Sequence, residues 1–286
     1  MTNIKVRNLD HVVLPVPSLE ITRERFTKLG FTVAPDARHN FGSENACVFF
    51  ENGTFIEPLA IGHRETVEAA IIKGNGFLRR DMGYRFRNGD DGFSCVVFGE
   101  EDPKAARKTF KKLGYSTGKI VVVKRPGVKV HIALTIDERS PDCPFFLCER
   151  PDGPPKFASD MTGHANGATG ITRVTMHEHL PEDFQYYIQT ASEQREVRSH
   201  SFGMDMELPN ATLTTLNDDG MKAFYGLTEA PKDRGLRAMA FDVTVQSLDK
   251  TKEVLKKNAI EAKMIGARLV VEPASGQGAI LAFVEA

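Results

Sequence analysis

Residues 9–31 read LDHVVLPVPSLEITRERFTKLGF, an apolar run followed by a polar segment with periodic apolar residues. The run at 9–16 predicts a strand, because it is short, apolar and rich in β-branched side chains. Ser18 has the chemistry of a helix N-cap, Phe26 lies at helical spacing from its apolar neighbours, and Gly30 suits the left-handed residue after a helix. This stretch therefore predicts one strand followed by one helix.

Three further strands are predicted downstream of this helix. They begin at residues 31–33 and continue at 46–50 and 54–61. Asn52 and Gly53 separate the last two, and this dipeptide is typical of a tight hairpin turn. The first 62 residues thus read as a βαβββ module.

The same layout recurs along the chain. His11 lies 19 positions before Gly30, and Cys95 also lies 19 positions before Gly114, with Asp102 in the place of the helix cap. The repeated spacing predicts a second module with the same architecture as the first.

Two more copies follow. One has a strand at 238–245, a cap at Ser247 and a helix at 248–260, and another has a helix at 180–192 that lacks a glycine stop. The chain therefore divides into four modules, at about 4–62, 92–150, 170–220 and 235–286. A short helix at 65–73 is predicted between the first two.

Modules of this kind give an α+β fold, and four of them suggest two pairs. We expect a first domain at 1–155, a linker at 156–169 that is rich in proline and glycine, and a second domain at 170–286. In this division the first domain contains the residues that are considered below as a candidate site.

Composition excludes several classes of protein. The 286-residue chain has a net charge of −1 and a pI near 6.7, so it has no field that would hold a polyanion, and we expect no nucleic-acid partner. No apolar stretch has the length of a signal peptide or a membrane span, and we expect no membrane partner. Four scattered cysteines without CxxC spacing indicate neither a zinc site nor a disulfide framework, so a cytoplasmic location is expected. Nucleophile elbows, phosphate-binding loops and HExxH motifs are absent from the sequence.

Residues 9–31, together with RHNFGSENACVFFENGTFIEPLAI at 38–61, resemble the opening module of glyoxalase-like proteins of the vicinal oxygen chelate superfamily. The later HANGATGITRVTM at 164–176 is similar to a junction in the same group. The resemblance implies that each pair of modules folds its curved, mixed sheet into an open cup. It also implies a divalent metal ion at the floor of the cup, held by the first and last strands of each module.

By spacing, eight positions correspond to those implied ligands. The first-strand positions are His11, Cys95, Arg173 and Ala240, and the last-strand positions are Glu57, Glu149, Thr214 and Glu285. Of these, His11, Glu57 and Glu149 form the predicted metal set, and imidazole with carboxylates suits Zn, Ni, Mn or Fe.

Each ligand has an alternative interpretation. His11 could be a strand histidine satisfied by a backbone carbonyl, and Glu57 could face solvent at a sheet edge. Cys95 is better interpreted as a core residue than as a thiolate ligand. Glu149 could instead pair with Arg150 at the surface.

Four more residues are candidates for substrate binding. His39 and His131 lie in or beside predicted strands, and Arg38 and Arg125 could bind an anionic group of a substrate. Glu57 and Glu149 are also candidate catalytic bases.

In the second domain, Arg173 and Ala240 replace ligands, which indicates a degenerate cup. His177 and His179 lie two residues apart on a predicted strand end and could share a face as metal ligands. Their position beside a helix start instead favours exposed side chains.

Two functions remain open from the sequence. The first is a divalent-metal-dependent enzyme, an isomerase, lyase or dioxygenase, acting on a small oxygen-rich metabolite in the first cup. The alternative is a metal-free protein that binds or sequesters a small molecule, as bleomycin-resistance proteins do. A homodimer is possible because curved open sheets leave edges that a partner can cover.

Overall fold

A computed structural model describes residues 5–125, 128–151 and 158–286. Within these residues the backbone forms two large mixed sheets with helices packed against them. The α+β class and the cup-forming mixed sheets predicted from the sequence are confirmed.

The first sheet is built from nine strands of the first two modules. These are β1 Leu9–Pro15, β2 Ala37–Arg38, β3 Ser43–Asn45, β4 Val48–Phe49, β5 Phe55–Ile61, β6 Cys95–Gly99, β7 Val121–Arg125, β8 Val128–Thr135 and β9 Phe145–Glu149. Their order is β2-β3-β5-β1-β6-β9-β8-β7, with β4 paired to β5. The central pair, β1 and β6, is antiparallel, and each pairs in parallel with the last strand of its own module. Two modules therefore join side by side into one sheet.

The second sheet repeats this arrangement with eight strands. These are β10 Ala168–His177, β11 Arg198–His200, β12 Gly203–Glu207, β13 Thr212–Leu216, β14 Arg237–Val245, β15 Lys263–Ile265, β16 Arg268–Val271 and β17 Ile280–Glu285. Their order is β11-β12-β13-β10-β14-β17-β16-β15, again joined by an antiparallel pair of first strands, β10 and β14. The fourfold repeat inferred from spacing is thus present in the backbone.

In the part of the chain that the structure describes, seven α-helices accompany the strands. They are α1 Leu19–Lys28, α2 Arg64–Ile72, α3 Gly76–Asn88, α4 Pro103–Lys112, α5 Gln185–Ser192, α6 Asp218–Tyr225 and α7 Leu248–Lys257. Short 3-10 helices lie at Ala158–Met161 and Pro181–Phe184. The predicted caps Ser18, Asp102 and Ser247 each accept backbone N–H groups from the first turn, of α1, α4 and α7 respectively.

Each module helix is followed by a residue in the left-handed region. Gly30 and Gly114 take φ of 89° and 86°, as their identity predicts. Glu193 and Ala259 occupy the corresponding turns with φ of 55°, without the freedom of glycine. Because this conformation costs a side chain about 1–2 kcal/mol, its recurrence shows that the module geometry imposes the turn.

One predicted strand is absent from the structure, and one helix of the structure was not predicted. Residues 31–36 form no strand, and β2 and β3 take that place in the sheet. The short helix predicted at 65–73 is present as α2, but α3 was not predicted, because its two glycines and many charged residues hide its period. Arg85 of α3 is buried and donates to the carbonyl oxygens of Val16 and Leu59, so tertiary contacts hold this helix in place.

The two sheets share a continuous apolar core. Phe31 stacks with Phe283 at 5.9 Å between ring centroids, and Phe93 meets Phe241 edge to face at 5.9 Å. The predicted boundary at 155–156 lies outside the described residues, so the domain limits stay a prediction. Among the described residues no helix has the length and apolarity that crossing a bilayer requires.

Candidate active site

A cavity of about 720 Å³ lies on one face of the first sheet. Strands of both modules, α3 and the 3-10 helix at Ala158–Met161 contribute to its walls. Much of its lining is aromatic: Phe41, Phe49, Phe50, Phe55, Phe77 and Phe146. Val130 and Ile132 of β8 extend the apolar wall, so most of the cavity favours an apolar ligand body.

The polar end of the cavity is formed by His11 of β1 and Glu57 of β5. The two strands are parallel neighbours, which brings the side chains together from different parts of the chain. His11 Nε2 lies 3.1 Å from Glu57 Oε2, and the residues are only 4% and 7% exposed. The structure therefore brings together the two first-module ligands of the predicted set.

Asp10 orients the imidazole of His11. His11 Nδ1 donates to Asp10 Oδ1 at 2.5 Å, and Arg150 donates to the other oxygen of Asp10. The ring of His11 also stacks on Phe55, with 4.2 Å between centroids. Consecutive strand residues normally face opposite sides, but the β1–β6 register shifts between Leu9 and His11, and this irregularity lets Asp10 also reach the cavity.

The second oxygen of Glu57 faces Asn45 and His39. Asn45 Nδ2 donates to Glu57 Oε1 at 2.5 Å, and His39 Nε2 lies 3.6 Å from the same oxygen. The other ring nitrogen of His39 bonds the hydroxyl of Ser43 at 2.8 Å. Glu57 therefore has polar partners on both carboxylate oxygens, in a cavity whose lining is largely apolar.

These contacts shift the pKa values of both Glu57 and His11 towards their charged forms. Burial alone would raise the pKa of Glu57, but the hydrogen bond and charge of His11, with smaller contributions from His39 and Asn45, lower it to about 2. Burial would lower the pKa of His11, but the hydrogen bonds and charges of Asp10 and Glu57 raise it above its ordinary value. Glu57 is thus an ionised carboxylate near neutral pH.

The arrangement of His11 and Glu57 suits a divalent ion. Two ligands bound at about 2.1 Å and at right angles to one another lie about 3 Å apart, close to the 3.1 Å observed between His11 Nε2 and Glu57 Oε2. Metal-bound histidines usually donate their second nitrogen to a carboxylate, and Asp10 is placed to accept it. His39 and Asn45 are the nearest further polar groups on the same side.

Glu149 and His131 lie on the opposite face of the first sheet. Cys148 and Ile132 line the cavity, and their strand neighbours Glu149 and His131 alternate away from it. The two are cross-strand partners, and His131 Nδ1 bonds Glu149 Oε2 at 2.6 Å. The structure does not bring either residue to His11 and Glu57. Nor does Glu149 pair with Arg150, whose guanidinium binds Asp10.

Arg38 and Cys95 are not among the residues that line the cavity. The side chain of Arg38 is 85% exposed and pairs with Glu44, and the side chain of Arg125 lies outside the described part of the structure. Cys95 is buried, and burial raises the pKa of its thiol, as the core interpretation predicts.

In the second sheet a network of charged side chains lies at the positions that correspond to the first site. Arg173 Nη1 lies 3.1 Å from Asp205 Oδ1, and Arg268 Nε lies 2.9 Å from Asp242 Oδ2. Ala240 is buried beside this network. Arginines at ligand positions repel cations, so this cup is not a metal site of the first kind.

The pair His177 and His179 differs from its prediction. His177 is 1% exposed, so the expectation that both histidines are exposed was wrong for this residue. Strand β10 continues through His177 and buries the ring, whereas the side chain of His179 is 29% exposed. Both rings face Asp218 at the start of α6.

Several residues of the first cavity were not predicted. Asp10 was missed because a regular strand would point it away from His11, and Asn45 because an isolated asparagine carries no signal. Phe77 belongs to the unpredicted α3, and Arg150 follows the last strand of its module. Only the cluster Leu-Asp-His at the start of β1 could have suggested an oriented histidine.

Comparison with known families gives one match over most of the chain. Residues 9–191 match a family described as a glyoxalase-like domain. A search of curated proteins found no match.

Solved structures share the fold at low sequence identity. A hypothetical protein from Staphylococcus aureus has a TM-score of 0.69 and 12% identity, with 98% of this chain and 100% of that chain covered. A triple mutant of 4-hydroxymandelate synthase from Streptomyces coelicolor has a TM-score of 0.67 and 11% identity, with coverage of 98% and 93%. A Mn(II)-bound glyoxalase from Novosphingobium aromaticivorans has a TM-score of 0.60 and 9% identity, with coverage of 98% and 82%. At such identities these likenesses establish the architecture.

Proposed function

The chain belongs to the glyoxalase-like domain family of the vicinal oxygen chelate superfamily, and from this premise we propose that it is a divalent-metal-dependent enzyme. Its substrate is a small molecule that carries oxygen atoms on a flat apolar body. The observation that carries the proposal is the pair of His11 and Glu57, 3.1 Å apart at the polar end of a cavity lined by phenylalanines.

In this proposal His11 and Glu57 hold the ion. The ion supplies Lewis-acid polarisation of a substrate oxygen, the strategy shared by isomerases, lyases and dioxygenases of this superfamily. Manganese, zinc, nickel and iron all accept such ligands, and one fold neighbour is a Mn(II)-bound glyoxalase.

The other polar groups position substrate and control protons. Asp10 fixes the imidazole of His11 and sends Nε2 towards the cavity. Asn45 and His39 lie beside the carboxylate of Glu57, where their nitrogens can also meet a substrate oxygen. Glu57 is ionised and can therefore serve as a ligand, and it could accept a proton from substrate only after it leaves the ion.

The cavity also defines the class of substrate. A volume of about 720 Å³ accommodates a molecule of one or two rings. The phenylalanines offer ring faces and edges for stacking, which favours a planar or unsaturated body. Because Arg150 is already paired with Asp10, it does not favour a strongly anionic head group on the substrate.

Metal analysis of the His11→Ala variant tests the proposal. The purified protein is stripped with a chelator, dialysed against Mn²⁺ or Zn²⁺, and analysed for bound metal beside the variant. We expect His11→Ala to bind one equivalent less than the unmodified chain, because imidazole supplies half of the protein ligands. The matched control is His131→Ala, which removes a histidine from the opposite face and is expected to bind as the unmodified chain does.

Equal metal content in the two variants and the unmodified chain would reject the metal site. A thermal-shift screen with oxygenated aromatic compounds then separates the enzyme from a metal-free binding protein. Stabilisation by compounds in the presence of chelator, with no effect of metal, would favour the binding protein.

Asp10→Asn is expected to weaken metal binding by about 10- to 100-fold, the usual effect of removing the carboxylate behind a ligating histidine. The amide can still accept from Nδ1 of His11, so the ring should keep its position while its basicity falls. Equilibrium dialysis against Mn²⁺ measures the change. An unaltered affinity would mean that Asp10 does not act through His11.

Homodimer formation stays a prediction, because β2, β7, β11 and β15 lie at sheet edges that a partner can cover. Sedimentation velocity over a range of protein concentrations measures it.

A further inference from the structure

We propose that His177, His179 and Asp218 form a second site for a divalent transition-metal ion such as Zn²⁺, separate from the cavity of the first sheet. One potential ligand atom from each of the three lies within 4.8 Å of the others. In a search of the described residues for three or more histidine, cysteine or acidic side chains within this distance, these three form the group that was found. The site does not depend on the proposed function.

The backbone brings the three residues together from two elements. His177 is the last residue of β10 and pairs with Leu216 of β13, and the chain passes from Leu216 through Asn217 into α6. Asp218 is the first residue of that helix. His177 Nε2 lies 2.7 Å and His179 Nδ1 2.9 Å from the same atom, Asp218 Oδ1.

His177 is a buried histidine at the end of β10. It is 1% exposed, and its Nδ1 has no hydrogen-bond partner among the residues that the structure describes. Nδ1 is not the nitrogen that meets Asp218, so the proposed site does not rest on it but on Nε2. The other nitrogen, Nε2, points to the open side of the cluster, where Asp218 lies.

The donor set suits a borderline divalent ion. Two imidazoles and one carboxylate are ligands that zinc, cobalt, nickel and manganese share, at about 2.0–2.2 Å for zinc. Ligands at that distance in a tetrahedral shell lie about 3.3 Å apart, so the present contacts must widen by about half an ångström. The side chain of Asp218 is 53% exposed and can turn, and the partly exposed side leaves room for water as a further ligand.

Neighbouring charges do not block the cluster. Glu178 lies between the two histidines in sequence, but its carboxylate binds Arg234 and the backbone N–H of Gly235. Arg237 pairs with His177 across the strands, and its guanidinium is directed to Asn88 and Asp142. A bound ion would link the end of β10 to the first turn of α6.

Cobalt titration tests this site in a chain that lacks the first one. The His11→Ala variant is stripped of metal and titrated with Co²⁺, whose visible absorption reports nitrogen and oxygen ligation, and Zn²⁺ binding is measured by equilibrium dialysis. We expect saturation at one ion per chain. Adding His179→Ala or Asp218→Asn should lower the affinity by more than about 10-fold, because each removes a ligand.

His200→Ala is the matched control, since the side chain of His200 is 28% exposed in the same sheet and lies outside the cluster. It is expected to leave the titration unchanged. Circular dichroism in chelator checks that each variant is folded. The proposal would be overturned if the His11→Ala chain did not bind Co²⁺ saturably. It would also be overturned if the chains with His179→Ala or Asp218→Asn added bound Co²⁺ as tightly as the His11→Ala chain does. Neither result would affect the first site, which the same chains lack.

Discussion

Replacing Glu57 with glutamine is expected to lower the affinity of the first cavity for Mn²⁺ or Zn²⁺ by more than about 100-fold. Loss of a group that merely orients a ligand commonly costs 10- to 100-fold, and Glu57 is proposed as a ligand itself. Glutamine keeps the shape of the side chain but removes the charge that faces His11 and His39. The change therefore tests charge and ligation, with little change in volume.

Glu149→Gln is the matched control for this prediction. Spacing along the sequence assigns Glu149 to the same ligand set, whereas the structure places it with His131 on the other face of the sheet. We expect its metal affinity to equal that of the unmodified chain. Equilibrium dialysis of both variants, in the His179→Ala background so that only the first site is counted, decides between the two assignments. A loss in Glu149→Gln as large as in Glu57→Gln would show that the ligand set follows the sequence spacing.

Gly278→Ala is expected to destabilise the protein by about 3 kcal/mol or more, at the upper end of the effects of single substitutions, because it combines overpacking with a left-handed backbone. Gly278 precedes β17 with φ of 68°, and a Cβ atom there would lie 2.1 Å from the backbone nitrogen of Gly92. That contact lies where the loop before β17 meets the loop before β6. The added methyl group must therefore separate the two sheets or displace a loop.

Gly266→Ala separates this clash from backbone strain. Gly266 also has a positive φ, 56°, but nothing lies within 4 Å of the added atom. Only the left-handed conformation is penalised, by about 1–2 kcal/mol. Urea unfolding followed by circular dichroism gives both values. Similar losses in the two variants would mean that the contact between Gly278 and Gly92 relaxes without cost.

The repeat is the part of this fold that sequence alone predicted best. Ser18, Asp102 and Ser247 cap helices as expected, and Gly30 and Gly114 end them. A cap acts on backbone groups only two or three residues away, so its signal is contained in adjacent residues. The pairing of His11 with Glu57 was also predicted, because the superfamily resemblance supplied the position of each on its strand.

The face that a side chain occupies needed the tertiary structure. Glu149 follows Cys148 by one residue, and that single step moves it from the cavity to the other side of the sheet. Asp10 and His11 are also one step apart, yet both reach the cavity because the register shifts beside them. Strand register and its irregularities depend on partners far along the chain, so no local pattern reveals them.

By itself, then, the sequence predicted four modules, three helix caps and two glycine stops, and the superfamily resemblance suggested His11 and Glu57 as a pair. Only the tertiary structure decided which carboxylates meet a histidine, that α3 closes the cavity with Phe77, and that His177 is buried beside Asp218. The physical reason is range. Helix caps and turns are set by neighbours in the chain, whereas burial and ligand geometry are set by side chains from strands and helices that meet only after folding.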